Sequence, residues 1–513
     1  MTDSDWREAG GGRPLTAALL LVVAAGFVLR IWNLDSGIPY AVGIDEPAIM
    51  TTVVRILKSG SFNPRFFEYP TGYIYVQLGT AIVNFLVGAM RHSWKAVEQV
   101  GPSDFYLWGR FVTATIGAAT IALVHQVGLR WGARHALVAA GLLAVMPMHV
   151  RESHFVLTDV PLTFSVTLTL LLSFRASERP TIKAFVLAGA AAGLAAGIKY
   201  NGLVAVSMPL AAAFAIGARG PSRVAAALAA ATACVVAFFV TTPFALLDLP
   251  AFLNGFGIQA AAFTARPSSA EASWLVYAKH FRQAIGWPAL MLAAAGLGLA
   301  AFRSFAGPAR VRWMLLLVFP AVYFYLINGW GFMFARYALP LVPFLAIWAA
   351  IATMRAFEFL YGTRIPSAAR LPVVAVVMLA VMTPATIGSV MFVRGHGVET
   401  TQALAWTWIR KSVWPNAVIV SEARGLDLPP ELYRAEVVQS VAGRDPDALA
   451  SAGVEWIVLS SDAWENRTAA DQARLAPPSA YAPLMSRARE MKVIMPSAEH
   501  PGPAIRILRL ARP

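Results

Sequence analysis

Acidic and basic side chains are sparse in this sequence, and those that stand out sit where an apolar run begins or ends. The stretch "GIDEPAIM" sets Asp45 beside Glu46, with a proline directly after them. Further on, "NPRFFEYPTGY" supplies Arg65, Glu68 and Tyr69, and "MHVRESHFVLTDVPL" supplies Arg151, Glu152, His154 and Asp159. "GIKYNGL" adds Lys199, Tyr200 and Asn201, and "GFMFARYALP" adds Arg336 and Tyr337. A carboxylate within reach of a hydroxyl can take its proton, and a nearby Arg or Lys can offset negative charge developing on a departing group. The planar fork of Arg also suits phosphate oxygens. These are the residue types of an active site, provided the chain brings them together.

Each stretch has an ordinary reading beside the chemical one. Asp45 before Glu46 and Pro47 can simply cap the helical stretch "EPAIMTTVVRIL". Thr158 and Asp159 likewise precede an apolar helix, where capping is the default. Lys199 and Arg336 can be anchors that snorkel to an interface, and His154 alone points to nothing. Capping and catalysis are compatible, because a cap holds a carboxylate rigidly. The conjunction of several such signals at one depth favours a site.

The elements that must position them are membrane spans. Of the 513 residues, 58% are hydrophobic and 14% charged, against about 25% charged in soluble domains, and the mean hydropathy is +0.59. The net charge of +14 comes from 42 Lys and Arg spread over many loops, the pattern of cytoplasmic loops in a membrane protein and not of a nucleic-acid-binding surface. The single cysteine, Cys234, lies in the apolar run "AAATACVVAFFV", which excludes a disulfide framework and a thiolate metal site. A span needs about 20 apolar residues. Crossings are expected near 14–32, 105–129, 136–150, 157–174, 181–198, 202–217, 223–246, 286–302, 313–328, 337–354 and 371–393. The first has the look of a signal peptide but ends in Arg30 and Trp32 without a small-residue cleavage site, so it reads as an uncleaved span.

Placing Arg130, Arg134, Arg175, Arg179, Lys183, Arg219, Arg223, Arg303, Arg310, Arg312, Arg355, Arg364 and Arg370 in the cytoplasm gives a consistent alternation. It puts the N-terminus inside, and the C-terminus and all five chemical stretches outside. The apolar segment 71–90 breaks the count as a full crossing and is expected to be re-entrant or to lie along the interface. After Val393 the composition changes: "NAVIVSE", "EVVQSV" and "VEWIVLSS" alternate with helical stretches such as "TTQALAWTWIRK", the pattern of a small α/β domain. The expected fold is therefore a polytopic α-helical membrane protein of about 11–13 spans, residues 1–393 with a first outer loop at 33–70, followed by an extracytoplasmic α/β domain at 394–513.

At these residues the chain resembles the GT-C superfamily of membrane glycosyltransferases, particularly the dolichyl-phosphate-mannose–protein mannosyltransferases and the bacterial branch that transfers aminoarabinose to lipid A. The resemblance covers the whole membrane part: acidic "DE" after the first span, "FFEYPTGY" closing the first loop, "TDVPL" opening a later span, and "RYALPLVP" near a late one. It implies an inverting transferase that moves a sugar from a polyprenyl-phosphate donor to the hydroxyl of a lipid, glycan or protein acceptor outside the membrane. Asp45 corresponds to the family's catalytic or acceptor-positioning aspartate, with Glu46 and Asp159 as catalytic companions. Asp45, Glu68 and Asp159 match a set that holds a divalent metal ion in the aminoarabinose branch. That branch carries a lysine where this chain has Tyr69, which shifts donor-phosphate binding toward Arg65, Tyr69, Lys199, Arg336 and Tyr337. Glu152 and His154 are further candidates.

The rival readings are a transporter or flippase for lipid-linked sugars, and a non-catalytic family member. Transporters set ionisable groups near the midplane, often at broken helices in paired repeats, whereas the charges here gather at one interface. Transfer of a whole glycan to asparagine is disfavoured because no "WWD"-type motif occurs in the C-terminal part. The richness in Ala, Arg and Val suits the inner membrane of a high-GC bacterium. Sugar, lipid length and acceptor stay open.

Overall fold

The computed structural model describes residues 12–38, 45–215, 220–264, 271–305, 309–362, 367–422, 425–426, 428, 432–461, 478–497, 499–500 and 502–510. Arg219 and Arg364, counted above among the loop charges, lie outside the described residues. Contacts divide the chain into two units, Met1–Leu34 with Asp45–Val393, and Asp35–Ile44 with Arg394–Pro513. Residues 35–38, assigned above to the first outer loop, thus group with the C-terminal unit; the Ser36 hydroxyl donates to the His396 carbonyl.

The first unit is helical. Eight described helices are long and apolar enough to cross a membrane, and four shorter apolar ones accompany them. Setting aside Gly72–Met90, these coincide with the eleven expected crossings. The protein is a multi-span membrane protein. Arg110, near the start of the Tyr106–Gly128 helix, meets Glu46 and Leu34, while Arg130, just past its end, pairs with Glu178 and accepts a bond from Arg312 on its carbonyl. Glu46 and Asp159 therefore lie at one end of the bundle, called here the site end. Arg130, Glu178 and Arg312 mark the other.

The segment expected to be re-entrant or interfacial is one uninterrupted helix, Gly72–Met90. Thr71 before it bonds the Thr241 carbonyl, Gly72 abuts the Gly197 carbonyl, Tyr73 bonds Thr113, and Gln77 donates to the Gly109 carbonyl. These partners are the last turns of two spans and the first turns of a third. The helix also packs on Glu46–Ser59, so its neighbours belong to the site end.

Two local devices fix helix ends near the chemical residues. In the Ile182–Ile198 helix, "AGAAAGLAAGIK" places Gly189, Gly193 and Gly197 four residues apart, on one face. A side chain there would run into the Ala230 and Cys234 carbonyls and Thr241 of the Arg223–Thr241 helix. Small residues at this spacing let two membrane helices approach backbone to backbone, which sets where Lys199, the next residue, emerges. The second device is Arg30, fully buried. The Ala133–Val145 helix stops before Pro147, which has no N–H to give the Leu143 carbonyl. Arg30 supplies donors instead, to Leu143 O at 3.1 Å and Ala144 O at 3.0 Å, with Gly26 O at 2.7 Å and His149 Nδ1 at 3.0 Å. A guanidinium at a helix C-terminus also faces the negative end of the dipole.

The second unit is a five-stranded sheet of order β2-β1-β3-β5-β4, with β1 Val418–Glu422, β2 Arg434–Val438, β3 Trp456–Ser460, β4 Ala488–Ile494 and β5 Ile505–Leu510. β1 runs parallel to β2 and β3, while β5 is antiparallel to β3 and β4. The Thr401–Ser412 helix packs on one face through Ala405, Trp406 and Ile409, and Leu449 and Leu484 cover the other. The buried Glu422 carboxylate accepts from Ser440, Tyr481 and the amides of Val441 and Ser460.

Candidate active site

Asp45 directly precedes the Glu46–Ser59 helix, whose first turn holds Pro47 and whose end is set by Gly60 in the left-handed region. Its side chain makes no capping bond, so the capping reading does not hold. The carboxylate instead meets the Arg336 guanidinium, Oδ2 to Nη2, at 2.5 Å. Asp159 repeats the pattern at the start of the Asp159–Glu178 helix. Neither it nor Thr158 caps the helix through its side chain; Asp159 Oδ1 accepts from Lys199 Nζ at 2.7 Å, and both residues are nearly buried.

The aromatic residues bind the two pairs into one cluster. Lys199 Nζ lies 4.9 Å from the Tyr337 ring centre, and the Arg336 guanidinium lies 5.8 Å from the same ring and 5.1 Å from that of Phe334. Asn201 donates to the Tyr323 hydroxyl at 2.8 Å, and Tyr323 donates to the Tyr337 carbonyl at 3.0 Å. These bonds fasten the Ala335–Leu341 turn, which carries Arg336 and Tyr337, beside the segment that carries Lys199. Tyr69 joins from the first loop. Burial above all, and then the negative charges of Asp45 and Asp159, push its phenol well above the ordinary range, while Arg336 opposes them. It therefore stays protonated, with a hydroxyl hydrogen available to donate. Glu152 borders the group: buried, it accepts from Arg151 at 2.8 Å and 2.5 Å, and burial with help from Asp159 raises its pKa.

Four expected residues stand elsewhere. Glu46 is fully buried, with its oxygens on Arg110 Nε at 2.9 Å and Nη2 at 2.7 Å and on the Val156 amide at 2.8 Å. So engaged, it braces the start of its helix against the Tyr106–Gly128 helix. His154 sits between the carbonyls of Val150 at 2.8 Å and Trp32 at 3.1 Å, with its ring edge-on to Phe392; it locks helix ends together. Arg65 and Glu68 are exposed, and neither is among the charges that act on Tyr69. The sequence reading overlooked Arg110. A lone arginine inside an apolar span was the available signal, since such a charge needs a partner.

The metal set expected of Asp45, Glu68 and Asp159 does not assemble. Among the described residues no three metal-ligating side chains come together. Asp45 and Asp159 each already face a cation, and Glu68 is exposed. As arranged, these side chains do not fit a metal ion.

With the geometry in view, the likeness to known proteins falls into place. The profile of the dolichyl-phosphate-mannose-protein mannosyltransferase family matches residues 86–256. Among curated protein sequences none matches the chain. Among solved structures, ArnT from Cupriavidus metallidurans bound to undecaprenyl phosphate is 17% identical with a TM-score of 0.61, covering 96% of this chain and 98% of that one. The apo oligosaccharyltransferase of Archaeoglobus fulgidus is 14% identical with a TM-score of 0.57, covering 87% of this chain and 70% of its own. The same enzyme has been solved with an inhibitory peptide and a dolichol-phosphate, at a TM-score of 0.54. The chain shares the fold of these solved structures, and the family profile matches part of its membrane unit.

Proposed function

We propose that the protein transfers a sugar from a polyprenyl-phosphate donor to an acceptor hydroxyl, with inversion, at the extracytoplasmic side of a bacterial inner membrane. One observation carries the reading: two carboxylates and two cations, paired one to one, share a cluster with the phenol of Tyr69 at the end of a membrane bundle. The structural neighbours solved with undecaprenyl phosphate and dolichol-phosphate support a lipid phosphate as the donor head group. The basic loops at the opposite end support the orientation.

In this mechanism Arg336 and Lys199 take the donor phosphate, and Tyr69 donates a hydrogen bond to it. Asp45, on an element pinned by the buried Glu46–Arg110 pair, accepts the acceptor's proton as its oxygen attacks the anomeric carbon. The bond to phosphate breaks on the far face, and the lipid phosphate leaves with the bonding electrons. With one carboxylate acting as base and none as nucleophile, a single displacement inverts the anomeric centre. Cations in a partly dry site stabilise the developing phosphate charge more than in water. The test is purified protein with a polyprenyl-phosphate sugar prepared from the native membrane. Time-dependent release of free lipid phosphate, lost in Asp45→Asn, supports the reading; no release from any such donor rejects it.

A further inference from the structure

Residues 60–71, which carry Tyr69, form no helix or strand, so their buried backbone groups need partners from elsewhere. Three contacts supply them or fix the loop. The Tyr200 hydroxyl donates to the Phe67 carbonyl at 2.8 Å. Phe67, itself buried, sets its ring edge-on to Phe252 and lies against Gly255, where an added Cβ would come within 2.8 Å of the Phe67 Cβ. Asn63 donates to Asp248 at 2.6 Å. The Tyr200 ring is wedged against Phe252 and Phe256 of the same Leu249–Thr264 helix.

Tyr200 directly follows Lys199. One short connection therefore sends Lys199 to Asp159 and Tyr200 to the backbone two residues before Tyr69. We infer that Tyr200 is a positioning residue: its hydroxyl holds the first loop so that Tyr69 presents its phenol to the cluster, coupling the donor-phosphate groups on two distant parts of the chain. Glu68, on the outward side of the same loop, is exposed, as expected if the clamp turns alternate side chains in and out. The inference rests on the proposed role of Tyr69 at the donor phosphate.

Tyr200→Phe removes the hydroxyl and keeps the ring. Undecaprenyl phosphate is the probe, titrated against full-length protein in detergent. A hydrogen bond of ordinary net worth corresponds to about a five-fold weakening of Kd in Tyr200→Phe. In a Tyr69→Phe background the same change should weaken binding less than about two-fold, because a residue acting only through Tyr69 has nothing left to position. Gly255→Val, which pushes on Phe67 from the other side, should reproduce the binding loss. Amide exchange of residues 66–69 should rise in Tyr200→Phe, with no ligand present. An additive cycle, or unchanged exchange across the loop, overturns the inference. If the wild-type protein does not bind undecaprenyl phosphate, the proposed function fails, and the exchange measurement alone decides whether Tyr200 holds the loop.

Discussion

Asp45→Asn should weaken catalysis and at the same time tighten binding of the lipid phosphate. The variant keeps the size of the side chain and an oxygen acceptor, and removes only the charge facing Arg336. Two unit charges about 4 Å apart attract by about 4 kcal/mol at an effective dielectric of about 20, and fully exposed pairs retain about 0–1 kcal/mol. The two side chains are 20% and 24% exposed, which places their attraction between those limits, at about 1–2 kcal/mol. A phosphate that takes Arg336 must overcome that attraction. Without it, the affinity for undecaprenyl phosphate should rise by roughly 5- to 30-fold. Turnover should fall by about 10²–10⁴-fold, the usual worth of a general base. Equilibrium titration with undecaprenyl phosphate and initial rates with a sugar-loaded donor measure the two effects separately. A metal bridging Asp45 to the phosphate predicts the opposite sign for binding. Weaker lipid binding in Asp45→Asn would therefore refute the ion-pair argument, and undiminished turnover would refute the assignment of the base.

Arg110→Leu leaves Glu46 charged and unpaired in a dry environment, a change that costs about 3–5 kcal/mol; the thermal unfolding midpoint should drop sharply, whereas Arg110→Leu combined with Glu46→Leu should recover much of it. Arg65→Ala and Glu68→Gln touch exposed side chains outside the cluster and should change lipid-phosphate affinity by less than about two-fold; a ten-fold loss in either would return that residue to the site. Glu152 binds its proton more tightly folded than unfolded, so its contribution to stability is present below the unfolded pKa of 4.5 and is lost as pH rises through the raised folded value. Glu152→Gln should accordingly gain on the wild type as pH rises above 4.5, in midpoints measured from pH 4 to 8; a constant difference would contradict the direction of the shift.

The site was legible in the sequence to the extent that it depends on depth. Asp45, Asp159, Lys199 and Arg336 each stand at the end of an apolar run. Runs of similar length fix their ends at similar heights, so charges at those ends meet on one side of the bundle. Depth says nothing about rotation around a helix axis, and there the reading failed. Asp45 and Glu46 are neighbours in "IDEP", yet successive residues at a helix start point about 100° apart. One turns to Arg336 and the other into the packed interior on Arg110. The same blindness joined Glu68 to the metal set: Glu68 is exposed on the loop, whereas the half-buried Tyr69 beside it feels the charges of Asp45 and Asp159.

The C-terminal sheet repeats the lesson with period two. β1 and β3 are buried strands, so "VIVSE" and "WIVLS" read as continuous apolar runs and were expected. β4 and β5 mix charges into their pattern, as in "AREMKVI" and "IRILRL", and were missed. In β5, Arg509 is not on a plain solvent face: its guanidinium covers the rings of Trp414 and Trp456 at 5.0 Å and 5.6 Å. An arginine whose flat face rests on indoles hides from a pattern that counts it only as polar. The tryptophan to look for lies in β3, some fifty residues earlier in the chain, so only the paired strands reveal it. Tyr200 follows the same logic in the membrane unit. In the sequence it is the residue after a lysine, and its function exists only through a carbonyl more than a hundred positions away.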